Sequence, residues 1–372
     1  MTVFHRFCTV FPLFLLVLAL AACSGGAGRS PWNKGATAQP QDNVTVGPYG
    51  TPSGMPADAT SPSVKVAILL PLSGGNAGVG QSMLQAAQLA VFDLGYDNFE
   101  LMPRDTAGGA GAAATAAIRD GAQLILGPLF ADDVRAVKSA TSGSGINVIA
   151  FSTDWTIAGG NTYMMGFLPF GQVERIAQYA ASKGLRRAAV AAPADTYGST
   201  TSSLFETAAQ KNGITITRAL SDANGYDAVF IPAGGTALSG ILQRVTNTGA
   251  KKLGTGLWDD ARVAADPAMN GAWFAAPSPR ARAGFESRYA QTYGAKPQRI
   301  ASMAYDATAL AAALAKAGGF SAGNLTNPNG FAGVDGIIRF NKSGLVERGM
   351  AVLEIRGGQI VEIDPAPSSF QR

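Results

Sequence analysis

The chain is almost without histidine and cysteine. Among its 372 residues there is one histidine, His5, and two cysteines, Cys8 and Cys23. Beyond position 23 there is neither, which excludes Ser-His-Asp and Cys-His nucleophile systems. It also excludes the usual zinc sites, which draw on Cys or His, and any disulfide within that stretch. Charge is scarce as well. Asp, Glu, Lys and Arg make up 15% of the chain, the net charge is +4, and no basic run occurs. Nucleic acid would need a clustered basic face, so none is expected as a partner. A Walker A motif is absent, and Gly78-Val79-Gly80 lacks the third glycine of a dinucleotide fingerprint, with Met83 in its place. Carboxylate-only chemistry survives this filter. Yet Asp259 and Asp260 are adjacent, so their side chains diverge, and nothing else suggests an acid/base pair. The expectation is a protein that is not an enzyme and uses no metal or cofactor.

Long apolar runs are missing too, with one partial exception. From Phe7 to Ala22 there are 16 residues without a charge, one of them Pro12. A membrane-crossing helix needs about 20. Arg6 in front and small residues behind fit a signal peptide, residues 1–22. Leu20-Ala21-Ala22-Cys23 resembles a bacterial lipobox, which implies cleavage before Cys23 and lipidation of its thiol. The alternative is an ordinary secretory signal with a chance cysteine. Removing the signal takes away Arg6, so the balance falls from +4 to +3. Two or more acyl chains give stable anchoring. Ser24 and Gly25 follow the cysteine, and in lipoprotein sorting that implies the outer membrane, facing the periplasm, in a host with two membranes.

Residues 23–63 carry the lipidation site and a Gly-, Pro-, Ser-, Thr- and Ala-rich stretch without apolar period. Such a segment does not bury enough surface to offset its ordering entropy. As a flexible coil its 40 residues after Cys23 span about 35 Å; stretched, they reach about 130 Å.

At Val64 the pattern changes. VKVAILLP reads as a strand buried on both faces. GQSMLQAAQLAVFDLG reads as a helix stopped by Gly95. FELMPR, AQLILGP and INVIAFS continue as strands, with helices AGAAATAAIRDG and ADDVRAVKSATSG between them. This alternation predicts a parallel sheet with helices on both faces. It restarts after TYMMGFLP, with helices over 172–183, 199–212 and 238–249. Strands are expected at 187–192, ITITRAL, AVFIP, KKLGTG and GAWFAAP, around an acidic turn at Asp222 and Asp227. Helices RAGFESRYAQTYG and SMAYDATALAAALAKAGG and strands GIIRFN and MAVLEIRGGQIVEI close the chain. The 309 residues from 64 to 372 suit two lobes better than one core.

Five stretches carry a resemblance: VAILLPLSGGNAGVGQSMLQAAQLA, RDTAGGAGAAATAAIRDGAQLILGPLFADDVRAV, VIAFSTD, ADTYGSTTSSLFETAAQKNG and GIIRFNKSGLVERGMAVLEIRGGQI. In order and spacing they resemble the type I periplasmic-binding-protein fold, in the branch of leucine/isoleucine/valine-binding proteins. GAQLILGPLFADDV and ILLPLSG look most like lipid-anchored penicillin-binding-protein activators. The resemblance implies an α/β fold of two doubly wound parallel-sheet lobes joined by three crossings. Lobe one is placed at 64–166 plus 284–328, lobe two at 167–283 plus 329–363, and a tail at 364–372.

In such sheets ligands bind beyond the carboxyl ends of the strands. In amino-acid-binding relatives, hydroxyls after the Gly-Pro loop and after the next strand, with an acid on lobe two, hold the ligand. The resemblance therefore implies a cleft with Ser73, Ser152, Thr153 and Tyr197, and Asp259 or Asp260 as the acid. Several of these stretches have a plainer reading: strand-end turns for Ser152 and Thr153, lobe packing for Tyr197 and Trp258, and a helix cap for Asp105-Thr106. The Gly-Pro loop departs from the pattern. It runs Gly127-Pro128-Leu129-Phe130-Ala131-Asp132-Asp133, with no hydroxyl, and Asp132 reads as an N-cap. The partners implied are a bifunctional peptidoglycan synthase or, alternatively, an ABC importer permease. A small molecule in the cleft and a membrane reached through the lipid anchor complete the set.

Overall fold

A computed structural model describes residues 63–217, 220–221 and 225–370. The signal peptide, Cys23, most of the tether and Asp222 lie outside the described residues.

The first half alternates strand and helix as far as its fourth strand, and a short 3-10 turn, Trp155–Ile157, leads on to the fifth. The strands are β1 (Val64–Leu70), β2 (Phe99–Asp105), β3 (Leu124–Leu126), β4 (Asn147–Ala150) and β5 (Thr162–Met164). Between them run α1 (Ala77–Leu94), α2 (Ala110–Arg119) and α3 (Ala131–Ala140). The five strands form one parallel sheet in the order β2-β1-β3-β4-β5. The apolar run of β1 serves both faces. Val66, Ile68 and Leu70 join one core, and Ala67 and Leu69 join the core on the other face under α2 and α3.

The chain then crosses over and repeats the plan. It forms α4 (Pro169–Ser182), β6 (Arg187–Val190), α5 (Thr196–Lys211), β7 (Thr215–Thr217), β8 (Ala228–Phe230), α6 (Gly235–Leu242), β9 (Lys251–Gly254), α7 (Ala261–Ala264) and β10 (Trp273–Ala276). The order β7-β6-β8-β9-β10 repeats that of the first sheet. Here too the faces divide: Val229 and Phe274 pack on one side, Phe230 and Leu253 on the other. The helix expected at 238–249 is shorter and begins earlier, because Gly234 and Gly235 start it and the chain turns after Leu242.

The chain returns through α8 (Pro279–Tyr293), α9 (Ala301–Lys316) and α10 (Ala322–Leu325). Then follow β11 (Phe331–Gly333), β12 (Gly336–Phe340), β13 (Val346–Arg348), β14 (Ala351–Arg356) and β15 (Gln359–Asp364). The stretch MAVLEIRGGQIVEI is not one strand. Gly357 and Gly358, both at positive φ, fold it into a hairpin that extends the second sheet antiparallel to β10. No helix among the described residues is long and apolar enough to cross a membrane.

The fold is thus two doubly wound α/β lobes joined by three crossings. The crossings fall where core membership changes: between Leu168 and Val173, between Ala276 and Phe285, and between Val346 and Met350. Residues 329–346, attached to lobe two in the sequence reading, pack instead with lobe one. Val334, Ile338, Phe340 and Val346 of the β11-β12-β13 sheet are buried in its core. Residues 279–283 likewise start α8, whose Phe285 and Tyr289 enter that core.

Candidate functional site

Both sheets have a switch point, between β1 and β3 and between β6 and β8, the place where ligands bind in open α/β sheets. Each switch point is built tightly. A Cβ on Gly80 would overlap the Pro71 carbonyl oxygen, and one on Gly198 would overlap that of Pro193. Helices α1 and α5 therefore lie directly on the loops that precede them.

Ser73 sits on the first of these loops, but its hydroxyl is committed. It donates at 2.5 Å to Asp105, which also accepts the amides of Leu72 at 2.9 Å and Ala107 at 3.0 Å. The Ser73 hydrogen bond, then those amides, hold the Asp105 carboxyl below its ordinary range. Asp105 thus ties the carboxyl ends of β1 and β2 together, and Ser73 is part of the tie.

The Gly127-Pro128 bond is cis. The N-cap of α3 is Phe130, with no side-chain cap, and not Asp132 as the sequence suggested. Asp132 and Asp133 stand in the first turn, where negative charge offsets the helix dipole. Asp132 pairs with Arg135 at 2.9 Å. Burial, then repulsion from Asp132, pushes the Asp133 carboxyl up.

After β4, Ser152 is buried and accepts the Asp154 amide at 3.1 Å. Asp154 in turn holds the Thr156 hydroxyl at 2.6 Å and Arg135 at 2.5 Å. Thr153 is exposed. Ser152 and Thr153 both line a cavity of about 500 Å³, whose walls include Val79, Leu129, Phe130, Phe151, Phe167 and Met303. Of the site residues expected from sequence, these two are brought together in it; Ser73, Tyr197 and Asp259 do not line it.

On lobe two, Asp195 caps α5 by accepting the Gly198 amide at 2.6 Å. The Tyr197 hydroxyl lies 3.1 Å from that of Thr255, and burial raises its pKa. Trp258 is fully buried and donates to the Ala233 carbonyl at 2.8 Å.

Asp259 is fully engaged. One oxygen pairs with Arg282 at 3.0 Å and the other with Arg299 at 2.7 Å, and its side chain is 7% exposed. An ammonium group arriving in the cleft finds that carboxylate already occupied. Asp260, the alternative acid, caps α7 and pairs with Arg262 at 2.7 Å.

Asp259 belongs to a network that sequence reasoning missed. Arg299 continues to Asp335 at 3.3 Å, and Ser302 donates to Asp335 at 2.6 Å. Asp306 accepts the Val334 amide at 2.7 Å. Arg348 donates to the Met165 carbonyl at 2.7 Å. Arg299 and Arg348 stack on the Phe167 ring, 4.6 and 5.0 Å from its centre. Three arginines and three aspartates thus meet where the crossings pass. Burial, then the neighbouring Asp335, pushes Asp306 up to about 7. Burial acts upward on Asp335 too, but Arg299 and Arg348 hold it below the ordinary value.

Residues 63–270 match the family described as periplasmic binding protein. The chain belongs to that family. None of the curated proteins matches it in sequence. Among solved structures this periplasmic binding protein is similar to a putative branched-chain amino acid ABC transporter protein from Rhodospirillum rubrum. The TM-score is 0.71 at 19% identity, over 81% of this chain and 100% of the other. It is similar to the C-domain of LpoA from Haemophilus influenzae, a regulator of PBP1A, with TM-score 0.64, 19% identity, and 80% and 99% coverage. It also resembles an ABC transporter substrate-binding protein from Desulfitobacterium hafniense in complex with Leu, with TM-score 0.63, 19% identity, and 81% and 100% coverage. The family and these neighbours are binding or regulatory proteins.

Proposed function

We propose that this chain is a non-enzymatic, periplasm-facing lipoprotein whose bilobed body binds and activates a peptidoglycan synthase. One observation carries the reading. Two of the groups that would hold an amino acid are committed elsewhere: Asp259 to Arg282 and Arg299, and Ser73 to Asp105. The loop after Pro128 offers Leu129, Phe130 and Ala131 where relatives are expected to carry a hydroxyl. The likeness to the LpoA C-domain supports the reading at the level of fold. Anchoring through Cys23 and placement at the outer membrane rest on the lipobox and on Ser24 and Gly25. A tether long enough to reach through the wall suits a partner embedded in the other membrane.

The test is a glycan-polymerisation and transpeptidation assay with a bifunctional synthase of the same host. The expected result is a faster rate and co-purification; neither effect would remove the reading. The alternative is an amino-acid-binding lipoprotein of an ABC importer. Ser152 and Thr153, side by side on the cavity, favour it. A thermal-shift screen of amino acids separates the two, since a ligand at 100 times its Kd adds about 2.7 kcal/mol. A flat screen, identical in Ser152→Ala, counts against the importer.

A further inference from the structure

We infer that the lobe-one wall of the cleft binds an uncharged aromatic or branched-aliphatic small molecule. The cavity of about 500 Å³ has the size of a small-ligand site, and apolar walls with a few polar groups are the usual composition of one. No lysine or arginine lines it, and its one acid, Asp154, is saturated by Thr156 and Arg135. Arg299, stacked behind Phe167, is committed to Asp259 and Asp335. The start of α3, which elsewhere would favour an anion, carries Asp132 and Asp133. A carboxylate entering this cavity is desolvated without a free cation to meet it.

The remaining polar groups are neutral. The Asn76 amide and Thr153 hydroxyl line the cavity, and neither has a side-chain hydrogen bond among the described residues; Ser152 offers its hydroxyl proton. They suit a phenol, alcohol or amide. Among the described residues the exposed large apolar side chains are Phe92, Phe130 and Leu257. Phe130 is one of the residues that line the cavity, where a bound ring would cover it. Phe167 is already fixed by two guanidinium groups, so that wall is formed before a ligand arrives.

This inference does not rest on the partner reading. A chain that binds the probe and leaves the synthase rate unchanged keeps the one and loses the other. The experiment is calorimetric titration of the full chain with p-cresol, benzoate and L-phenylalanine. The expected result is p-cresol binding at least tenfold tighter than either charged probe. Phe130→Ser, at a half-exposed position, and the near-isosteric Thr153→Val should each weaken p-cresol at least threefold. Benzoate or phenylalanine binding as tightly as p-cresol overturns the inference. So does a series in which nothing binds, or wild-type affinity in both variants.

Discussion

Replacing Asp259 by alanine should loosen the junction between the lobes more than any other single charge change. Its carboxylate leaves lobe two just after β9 and reaches Arg282 on α8 and Arg299 ahead of α9, both on lobe one. Arg282 is 9% exposed in its side chain, so without Asp259 it keeps Glu286, which is 44% exposed, as its acidic partner. Removing one member of a buried pair costs about 3–5 kcal/mol, mostly because a buried charge is left unpaired. Arg299 retains Asp335 and is 26% exposed, which favours the lower end, about 3 kcal/mol. With a urea m-value of about 3 kcal/mol/M, the midpoint should fall by about 1 M. In a thermal scan of this body of about 300 residues the drop should be about 5 °C. The assay is urea unfolding of wild type, Asp259→Ala, Arg282→Met and the double variant. A coupling energy near zero, or a single-variant loss below about 1 kcal/mol, would refute the reasoning, because the pair would then behave as a screened surface pair.

Further outcomes follow from other features. Asp306 is raised from 3.8 to about 7, so the folded chain holds a proton there that the unfolded chain releases. That contribution to stability is complete below about pH 4 and is lost as pH rises through 7. Asp306→Asn keeps an acceptor for the Val334 amide and should flatten Tm between pH 4 and 7 relative to wild type; parallel curves would contradict this. Gly127 has φ of +85°, and a Cβ there would overlap the Leu69 carbonyl oxygen. Gly127→Ala should cost about 2 kcal/mol or more in urea unfolding, and a loss under half of that would contradict it. Cys23→Ala should abolish the diacylglycerol mass on the exported protein and move it from the membrane to the soluble fraction. An unchanged mass and fraction would end the lipoprotein reading.

Sequence pattern revealed the body because each signal is local. VKVAILL is apolar at every position and is buried on both faces of a sheet. The β-α alternation that restarts near residue 167 is the second lobe. What escaped was non-local. Asp259 meets Arg282 and Arg299 across 23 and 40 residues, and Arg348 meets Met165 across 183. No spacing rule joins such partners. One local trace existed: Asp306 is a lone acid in the apolar helix SMAYDATALAAALA, and it is fully buried. The β11-β12-β13 sheet was misplaced for a similar reason. GIIRF reads as a strand from its own residues, but which core receives Ile338 and Phe340 depends on where the third crossing falls.

The junction and the cavity together bear on how such a body works. A receptor that delivers a solute must change its lobe angle with the ligand. Moving a two-state equilibrium from 1:99 to 99:1 needs about 5.5 kcal/mol of differential affinity. The contacts that span the cleft are where that difference arises. In this chain the carboxylate that could reach across to a ligand instead reaches across to the other lobe, through Arg282 and Arg299. Its interaction energy therefore favours one lobe arrangement whether or not a ligand is present. The apolar cavity sits on lobe one and its adjoining crossing, with Phe167 held by Arg299 and Arg348. Filling it does not require the second lobe to move. Under the proposed function, such a body presents a fixed two-lobed surface to the synthase, and the proposed ligand tunes one wall of it. Scattering profiles should then be insensitive to p-cresol in the wild type and change in Asp259→Ala, the reverse of what a ligand-closed receptor gives.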